Sequence, residues 1–321
     1  MLIKWKGPED GITQSIINRF LECPYNFYLY AGLGLQDPEE YNANLTWGDS
    51  FHIGLEHLIR GDSIEVSTKH MLEYLKEEYP QSGPTFPHSM SHMIRLYDLS
   101  YLGKEEWLTE QEFCEPYTLP NGRKIILRGK LDGHNISKTR AVEHKCKKRH
   151  DKIKLRHEIY KDTQICLYSL ITGIREWQYD VIKIPDIQYS PPVKRLTETF
   201  ANQVKRWYEE IDFGDYPINK KKRLWIDQFP VYLSEDNILQ FQKRVLDPVL
   251  LRMCKWYDKV TDDNFDPEIF DDIFYEFPLR HFNPRKTEAF EGPFYKYLTD
   301  QCDLSYLVPV KGFFNELSDR Q

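Results

Sequence analysis

The sequence has no two cysteines at the CxxC spacing of a zinc knuckle or a redox motif. Its six cysteines, at 23, 114, 146, 166, 254 and 302, are scattered along 321 residues. That scatter excludes a compact zinc site made of cysteine alone and argues against a disulfide framework, so a reducing cytosol is the expected compartment. Long apolar runs are also missing. Stretches such as Ile12 to Ile17 and Val249 to Leu251 end far short of the ~20 residues of a membrane span, and no membrane association is expected. The opening MLIKWKGPED has no apolar core of the secretory type, so no secretory signal is expected. There is no internal repeat and no low-complexity tract. An excess of base is absent too: 43 Lys and Arg stand against 50 Asp and Glu, for a net charge of -7. As an average, that balance speaks against a nucleic-acid binder, whose affinity comes from Lys and Arg. What is present is a globular mixture, 40% hydrophobic and 14% aromatic, long enough for one large domain or two modest ones.

The periodicity predicts a mixed α/β chain. Apolar residues from Ile12 to Tyr30 follow a helical spacing interrupted at Pro24. A second helix is expected over 46–59, capped by Thr46 and stopped by Gly61, with further helices over 67–79 and 88–102 and a loop over 80–87. Three strands then follow at 110–119, 124–136 and 140–145, separated by Pro120-Asn121-Gly122 and Ser137-Lys138-Thr139. A helix over 158–172, a strand over 178–184, and helices over 196–211 and 234–259 complete the reading. The expected architecture is a mixed central sheet containing a three-strand meander, flanked by helices, with helical N-terminal and C-terminal elaborations. No Pro/Gly linker divides it, so a single domain over 1–321 is expected, with a core at about 46–185 and elaborations at 1–45 and 186–321.

One stretch carries chemistry. If the strands around 132 and 143 form a hairpin centred on Ser137 and Lys138, opposed residue numbers sum to 275 and Asp132 faces Glu143. Their Cβ atoms would then lie about 5 Å apart. Lys145, two residues beyond Glu143, points to the same face. Two carboxylates and a lysine on one face of adjacent strands repel and lose hydration unless a cation joins them, and a hard divalent ion suits that donor set. The competing reading is a solvated hairpin with surface ion pairs. Gly48, His52 and Glu56 share one helical face, so His52 can offer an imidazole to the same ion and Gly48 a close approach; a lone helical histidine can equally be structural. Gln164 and Tyr168, one turn apart, can bond a phosphate or a water, or Tyr168 can be an ordinary half-buried aromatic. Between these elements lie Lys145, Lys147, Lys148, Arg149, Lys152, Lys154 and Arg156, seven bases in twelve residues. They form a local footprint for polyanions.

The order of these motifs resembles the PD-(D/E)XK nuclease superfamily, and more closely its RecB-like exonuclease branch, which includes AddB and CRISPR-associated RecB-like nucleases. Ser15 to Leu29, with Cys23-Pro24-Tyr25, is similar to the opening helix of that branch, and Gly48 to Glu56 to its histidine motif. Asp132 falls at the motif acid, Glu143-x-Lys145 at the (D/E)xK signature and Gln164-x3-Tyr168 at the QxxxY motif. The resemblance covers residues 13–168. It implies a metal-dependent DNA exonuclease of recombination, repair or replication, in a phage or bacterial cytosol, whose products carry 5′-phosphates. It implies that His52, Asp132, Glu143 and the backbone carbonyl of His144 bind Mg²⁺ or Mn²⁺, and that Asp132, Glu143, Lys145, Gln164 and Tyr168 are catalytic. Lys147, Lys148, Arg149, Lys152 and Lys154 would contact DNA, and a replication or recombination protein is an implied partner. Many members hold an iron–sulfur cluster on four cysteines. Here Cys23 stands at the first position, but residues 283–298 lack the others and Cys302 alone remains nearby, so no cluster is expected. The alternatives are a catalytically silent nucleic-acid-binding subunit of a helicase–nuclease type complex, and a structural α/β protein.

Overall fold

A computed structural model of the chain describes residues 5–22, 27, 30, 31, 34–36, 43–78, 85–148, 151–184, 226–261, 308 and 309. Among them, helices α1 (Gln14–Glu22), α2 (Ala43–Ile59), α3 (Ile64–Glu78) and α4 (Thr85–Leu96) precede strands β1 (Trp107–Thr118), β2 (Lys124–Asn135) and β3 (Arg140–Lys147). Then come α5 (Lys152–Glu158), α6 (Thr163–Thr172), β4 (Glu176–Lys183), β5 (Ile226–Tyr232), α7 (Glu235–Phe241) and α8 (Asp247–Val260). The strands form one five-stranded mixed sheet in chain order, β1-β2-β3-β4-β5. The β2–β3 and β4–β5 pairs are antiparallel, whereas β3 and β4 are parallel. A parallel pair needs a crossover connection, and α5 and α6 supply it.

Several elements differ from the sequence reading for identifiable reasons. The helix expected over 158–172 is two helices. Asp162 adopts an extended backbone and accepts the N–H groups of Gln164 and Ile165, capping α6, while Asp151 caps α5 through Ile153 and Lys154. The second helix begins at Ala43 rather than at Thr46, which is buried inside it. The helix expected to reach Leu102 stops at Leu96, and Ser100–Leu102 forms a short 3₁₀ turn. The helix over 234–259 is interrupted by a π-helical turn at Gln242–Leu246, just before Pro248, which has no N–H to give to a regular ladder. Strand β5 lies in a region where the sequence showed no motif. The helix expected over 196–211 lies outside the described residues, as do Cys23, Arg149, Cys302 and the segment 283–298.

The chain divides into two compact units. One comprises residues 1–40, 113–129 and 239–321. Its core is aromatic: Trp5 meets Phe27 and Tyr257 edge-on, and Phe27 meets Trp256. Arg123 joins Glu9 and Asp258 through ion pairs at 2.7 and 2.8 Å. The segment before α1 lies along β2, with Ile12 N–H donating to the Ile126 carbonyl at 2.9 Å.

The other unit, residues 41–112 and 130–238, holds the motif residues. Trp47, Phe51 and Leu55 of α2 pack with Met71 and Leu75 of α3, Met90 and Ile94 of α4, and Ile182 and Ile226 of the sheet. A Cβ on Gly48 would stand 3.3 Å from the Cβ of Cys146, so glycine is what lets α2 lie close on β3. Helix α6 covers the opposite face, where Trp177 donates to Ser169 at 2.7 Å and the Tyr179 hydroxyl donates to Asp162 at 2.9 Å. The β2–β3 turn is clamped by Asn135, whose side-chain oxygen accepts the N–H groups of Thr139 and Arg140 at 2.9 and 2.8 Å and whose amide nitrogen donates to Ser137 and Thr139. Cys114, Cys146, Cys166 and Cys254 are free thiols. No described helix is long and apolar enough to cross a membrane.

Candidate active site

The β2–β3 register pairs Gly133 with Val142 and His134 with Ala141, the register in which opposed residue numbers sum to 275. One step further along, the carboxylate of Asp132 replaces a strand carbonyl and accepts the His144 N–H at 2.7 Å. That bond aims Asp132 at two imidazoles. Its Oδ2 lies 3.2 Å from Nδ1 of His144 and 3.9 Å from Nδ1 of His52. One donor atom from each of His52, Asp132 and His144 lies within 4.8 Å of the others. Burial pushes the His52 imidazole below its usual range, against the pull of the Asp132 carboxylate. A neutral ring is the ligating form. For Asp132, burial favours the neutral acid, but the imidazole of His52 and the hydrogen bonds and charge of His144 outweigh it and hold the carboxyl far below its ordinary value.

Glu143 and Lys145 project to the face covered by α6. The Lys145 ammonium donates to Oε1 of Glu143 at 2.6 Å and to Oε1 of Gln164 at 2.5 Å. Glu143 is only 1% exposed, and its other oxygen, Oε2, is buried with no hydrogen-bond partner. Burial and then the Asp132 charge drive the Glu143 carboxyl well above the carboxylate range, against Lys145. Burial disfavours the Lys145 ammonium, and Glu143 reverses that and raises its pKa. Tyr168 is buried on α6, and burial followed by the Glu143 charge raises its phenol above the ordinary value.

The sequence reading placed one carboxylate-centred ligand set around the ion. The structure gathers His52, Asp132 and the side chain of His144, and holds Glu143 with Lys145 and Gln164 beside them. Glu56 is not part of this group: it pairs with Arg60 on its own helix. Within the basic run, the Lys152 ammonium pairs with Asp227 and lies 5.6 Å over the Phe229 ring, and Lys154 lies 3.4 Å from Glu158. Lys147 is half-buried and Lys148 exposed at the end of β3.

Three residues went unnoticed in the sequence. Tyr97, from the turn after α4, places its hydroxyl 2.9 Å from Nε2 of His144 and donates to Asp180 of β4. Gln228 of β5 donates to the same Asp180 oxygen at 2.8 Å. The only signal was Asp180 at a buried position of β4, and two of its partners come from segments 83 and 48 residues away.

Glu143 and Lys145 are held together on β3, next to a carboxylate and two imidazoles whose donor atoms lie within reach of one cation. The profile of the PD-(D/E)XK nuclease superfamily matches residues 12–222. The chain belongs to the PD-(D/E)XK nuclease superfamily. Nucleases of this superfamily use divalent metals and act on nucleic acid. No curated protein matches the chain. Among solved structures, the phage-related exonuclease from Haemophilus somnus 129PT is 12% identical, with 77% of this chain and 83% of that chain covered at a TM-score of 0.36. The crystal structure of SSO0001 is 12% identical, covering 68% and 86%, at a TM-score of 0.27. Candida albicans Rai1 in complex with pU5-Mn2+ is 12% identical, covering 77% and 76%, at a TM-score of 0.20. The membership rests on the profile match, and none of these three likenesses bears on it.

Proposed function

We propose that this PD-(D/E)XK protein is a metal-dependent DNA exonuclease of the RecB-like branch, acting in recombination, repair or replication from the cytosol, without an iron–sulfur cluster. The observation that carries this reading is the Lys145 ammonium, held between Glu143 and Gln164 beside the His52, Asp132 and His144 group. We read the chain as one nuclease domain with a core at about 46–185. Strands β1 and β2 support this, because each runs through both compact units.

The residues fit a divalent cation. A buried carboxylate oxygen without a partner, at Glu143 Oε2, is costly unless a cation meets it. His52, Asp132 and Glu143, with the backbone carbonyl of His144, would hold Mg²⁺ or Mn²⁺. When bound, such an ion polarises the scissile phosphate and lowers the pKa of a coordinated water. Lys145 donates to the attacking oxygen or to the charge that develops on the phosphate, and Glu143 and Gln164 hold its ammonium in place for that contact. Gln164 and Tyr168 position the strand from α6. Lys147 and Lys148, at the end of β3, meet backbone phosphates, and Lys152 and Lys154 extend that basic track; Arg149 is read with them from its place in the sequence.

The test is degradation of end-labelled linear DNA, single- and double-stranded, with Mg²⁺ or Mn²⁺, by the wild type, Glu143→Ala and Lys145→Ala. Products with 5′-phosphates, released from an end and lost in both variants, are expected. Degradation that persists in both variants refutes the site. Binding without cleavage by the wild type selects the silent subunit instead.

A further inference from the structure

The hydrogen bonds around His144 determine which of its nitrogens carries the proton. Asp180 is fully buried on the same sheet face, directly beside His144 in the parallel β3–β4 register. Amide donors meet both of its oxygens: Gln178 Nε2 donates to Oδ1 at 2.6 Å and Gln228 Nε2 to Oδ2 at 2.8 Å. A carboxylate surrounded in this way accepts at each oxygen, and the Tyr97 hydroxyl donates to it as well. A phenol has a single proton, so the Tyr97 oxygen is left as an acceptor. His144 Nε2 lies 2.9 Å from that oxygen and must donate to it. In a neutral ring the lone pair then sits on Nδ1. Nδ1 stands 3.2 Å from Oδ2 of Asp132, an oxygen already engaged by the His144 backbone N–H at 2.7 Å. When the ring is protonated, Nδ1–H bonds that oxygen; in the neutral Nε2–H ring the lone pair faces it, and a cation between them relieves the repulsion.

We propose that Tyr97 and Asp180 are positioning residues that lock His144 in its Nε2–H tautomer and present Nδ1, with Asp132 and His52, as a side-chain ligand to the divalent ion. The inference rests on the metal-site reading above and goes beyond it. It adds the His144 imidazole to the donor set, and it assigns a role to a tyrosine and an aspartate outside every motif in the sequence. The chain Asp180–Tyr97–His144 is a carboxylate–phenol–imidazole relay. Partners of this kind fix ring orientation and raise the basicity of the ligating nitrogen.

Two measurements test it. Long-range ¹H–¹⁵N correlation NMR of histidine-labelled wild type in EDTA reads the tautomer directly, with His144→Gln assigning the signal; the Nε2–H pattern is expected. Titration of Mn²⁺ followed by electron paramagnetic resonance reads affinity without turnover. Tyr97→Phe and Asp180→Asn should each weaken Mn²⁺ binding by about 10- to 100-fold, and Tyr97→Phe should release the tautomer. Circular dichroism and thermal melts establish that each variant is folded. If Tyr97→Phe does not fold, the wild-type tautomer still decides. An Nδ1–H ring at His144, or a folded Tyr97→Phe that binds Mn²⁺ as tightly as the wild type, overturns the assignment and leaves the nuclease reading standing. A wild type that cuts DNA but binds no Mn²⁺ overturns the assignment alone; one that neither cuts nor binds overturns both.

Discussion

The backbone N–H of His144 donates to Oδ2 of Asp132 at 2.7 Å, so a side chain on β2 is oriented by the main chain of β3. The acid is preorganised by the sheet itself rather than by a neighbouring rotamer, which favours catalysis by fixed charges. Asp132→Asn retains an oxygen for that N–H but loses the charge. It should keep a near-native melting temperature while activity falls by roughly a thousandfold, about 4 kcal/mol of transition-state stabilisation. Rate measurements beside thermal melts check both halves, and an Asn variant of near-normal rate contradicts the assignment.

Lys145 is bridged to Glu143 and Gln164 by contacts that suit a compact ammonium. Arginine presents a planar fork and does not substitute for a point charge in such a slot. Lys145→Arg should therefore be nearly as inactive as Lys145→Ala. Gln164→Ala leaves the ammonium in place but loosely held, for a smaller loss of about tenfold, ~1.4 kcal/mol. The ranking is read from initial rates, and recovery in Lys145→Arg would show that any cation suffices.

Burial raises the carboxyl pKa values of Glu143 and Glu56 in the metal-free protein. Above the ordinary carboxyl range the folded state then keeps protons that the unfolded chain releases, so stability falls as pH rises. Asp132 acts in the opposite sense only in more acidic solution, because its folded value is lowered, and His52, also lowered, offsets part of the decline below its unfolded value. In EDTA the melting temperature should decline from about pH 5 toward neutrality, the window above the unfolded carboxyl values. Saturating Mn²⁺ should reverse the decline, adding ~2.7 kcal/mol at a hundredfold excess over Kd. Glu143→Gln should flatten the slope. A melting temperature that climbs with pH in EDTA is the contrary result.

Lys147 and Lys148 lie at the end of β3, two and three residues beyond Lys145. If each meets one phosphate, alanine at either position should weaken DNA binding evenly across sequences and reduce the salt dependence by about one unit of slope. Lys152 is paired with Asp227, and its replacement should have a smaller effect on that slope. Anisotropy titrations over a range of salt concentrations separate the two cases.

Much of the site was legible because its members sit on short-range patterns. The hairpin register follows from the turn at Ser137 and Lys138, and Gly133 faces Val142 and His134 faces Ala141 accordingly. The alternation that puts Glu143 and Lys145 on one face follows from strand geometry. Gly48 and His52 are one helical turn apart, and the glycine does make close contact with β3, at Cys146. What stayed hidden depends on distant contacts. Asp162 reads as a helix interior residue until its cap geometry is seen. Strand β5 has no signature of its own and is defined by pairing with β4. Only the backbone carbonyl of His144 was given a role, and Tyr97 and Asp180, which hold its imidazole, share no local pattern with it.

Asn135 is not one of the candidate site residues, yet its amide closes the loop that sets how many residues separate Asp132 from Glu143. In a sheet with a two-residue side-chain period, adding or deleting one residue there turns every following side chain of β3 to the other face. Glu143 and Lys145 would then be presented to α2 and α4, and His144 to α6. Descendants of this protein can therefore vary the chemistry of residues 136–139 far more freely than their number. Insertions and deletions in that loop should be purged as strictly as the loss of a catalytic acid.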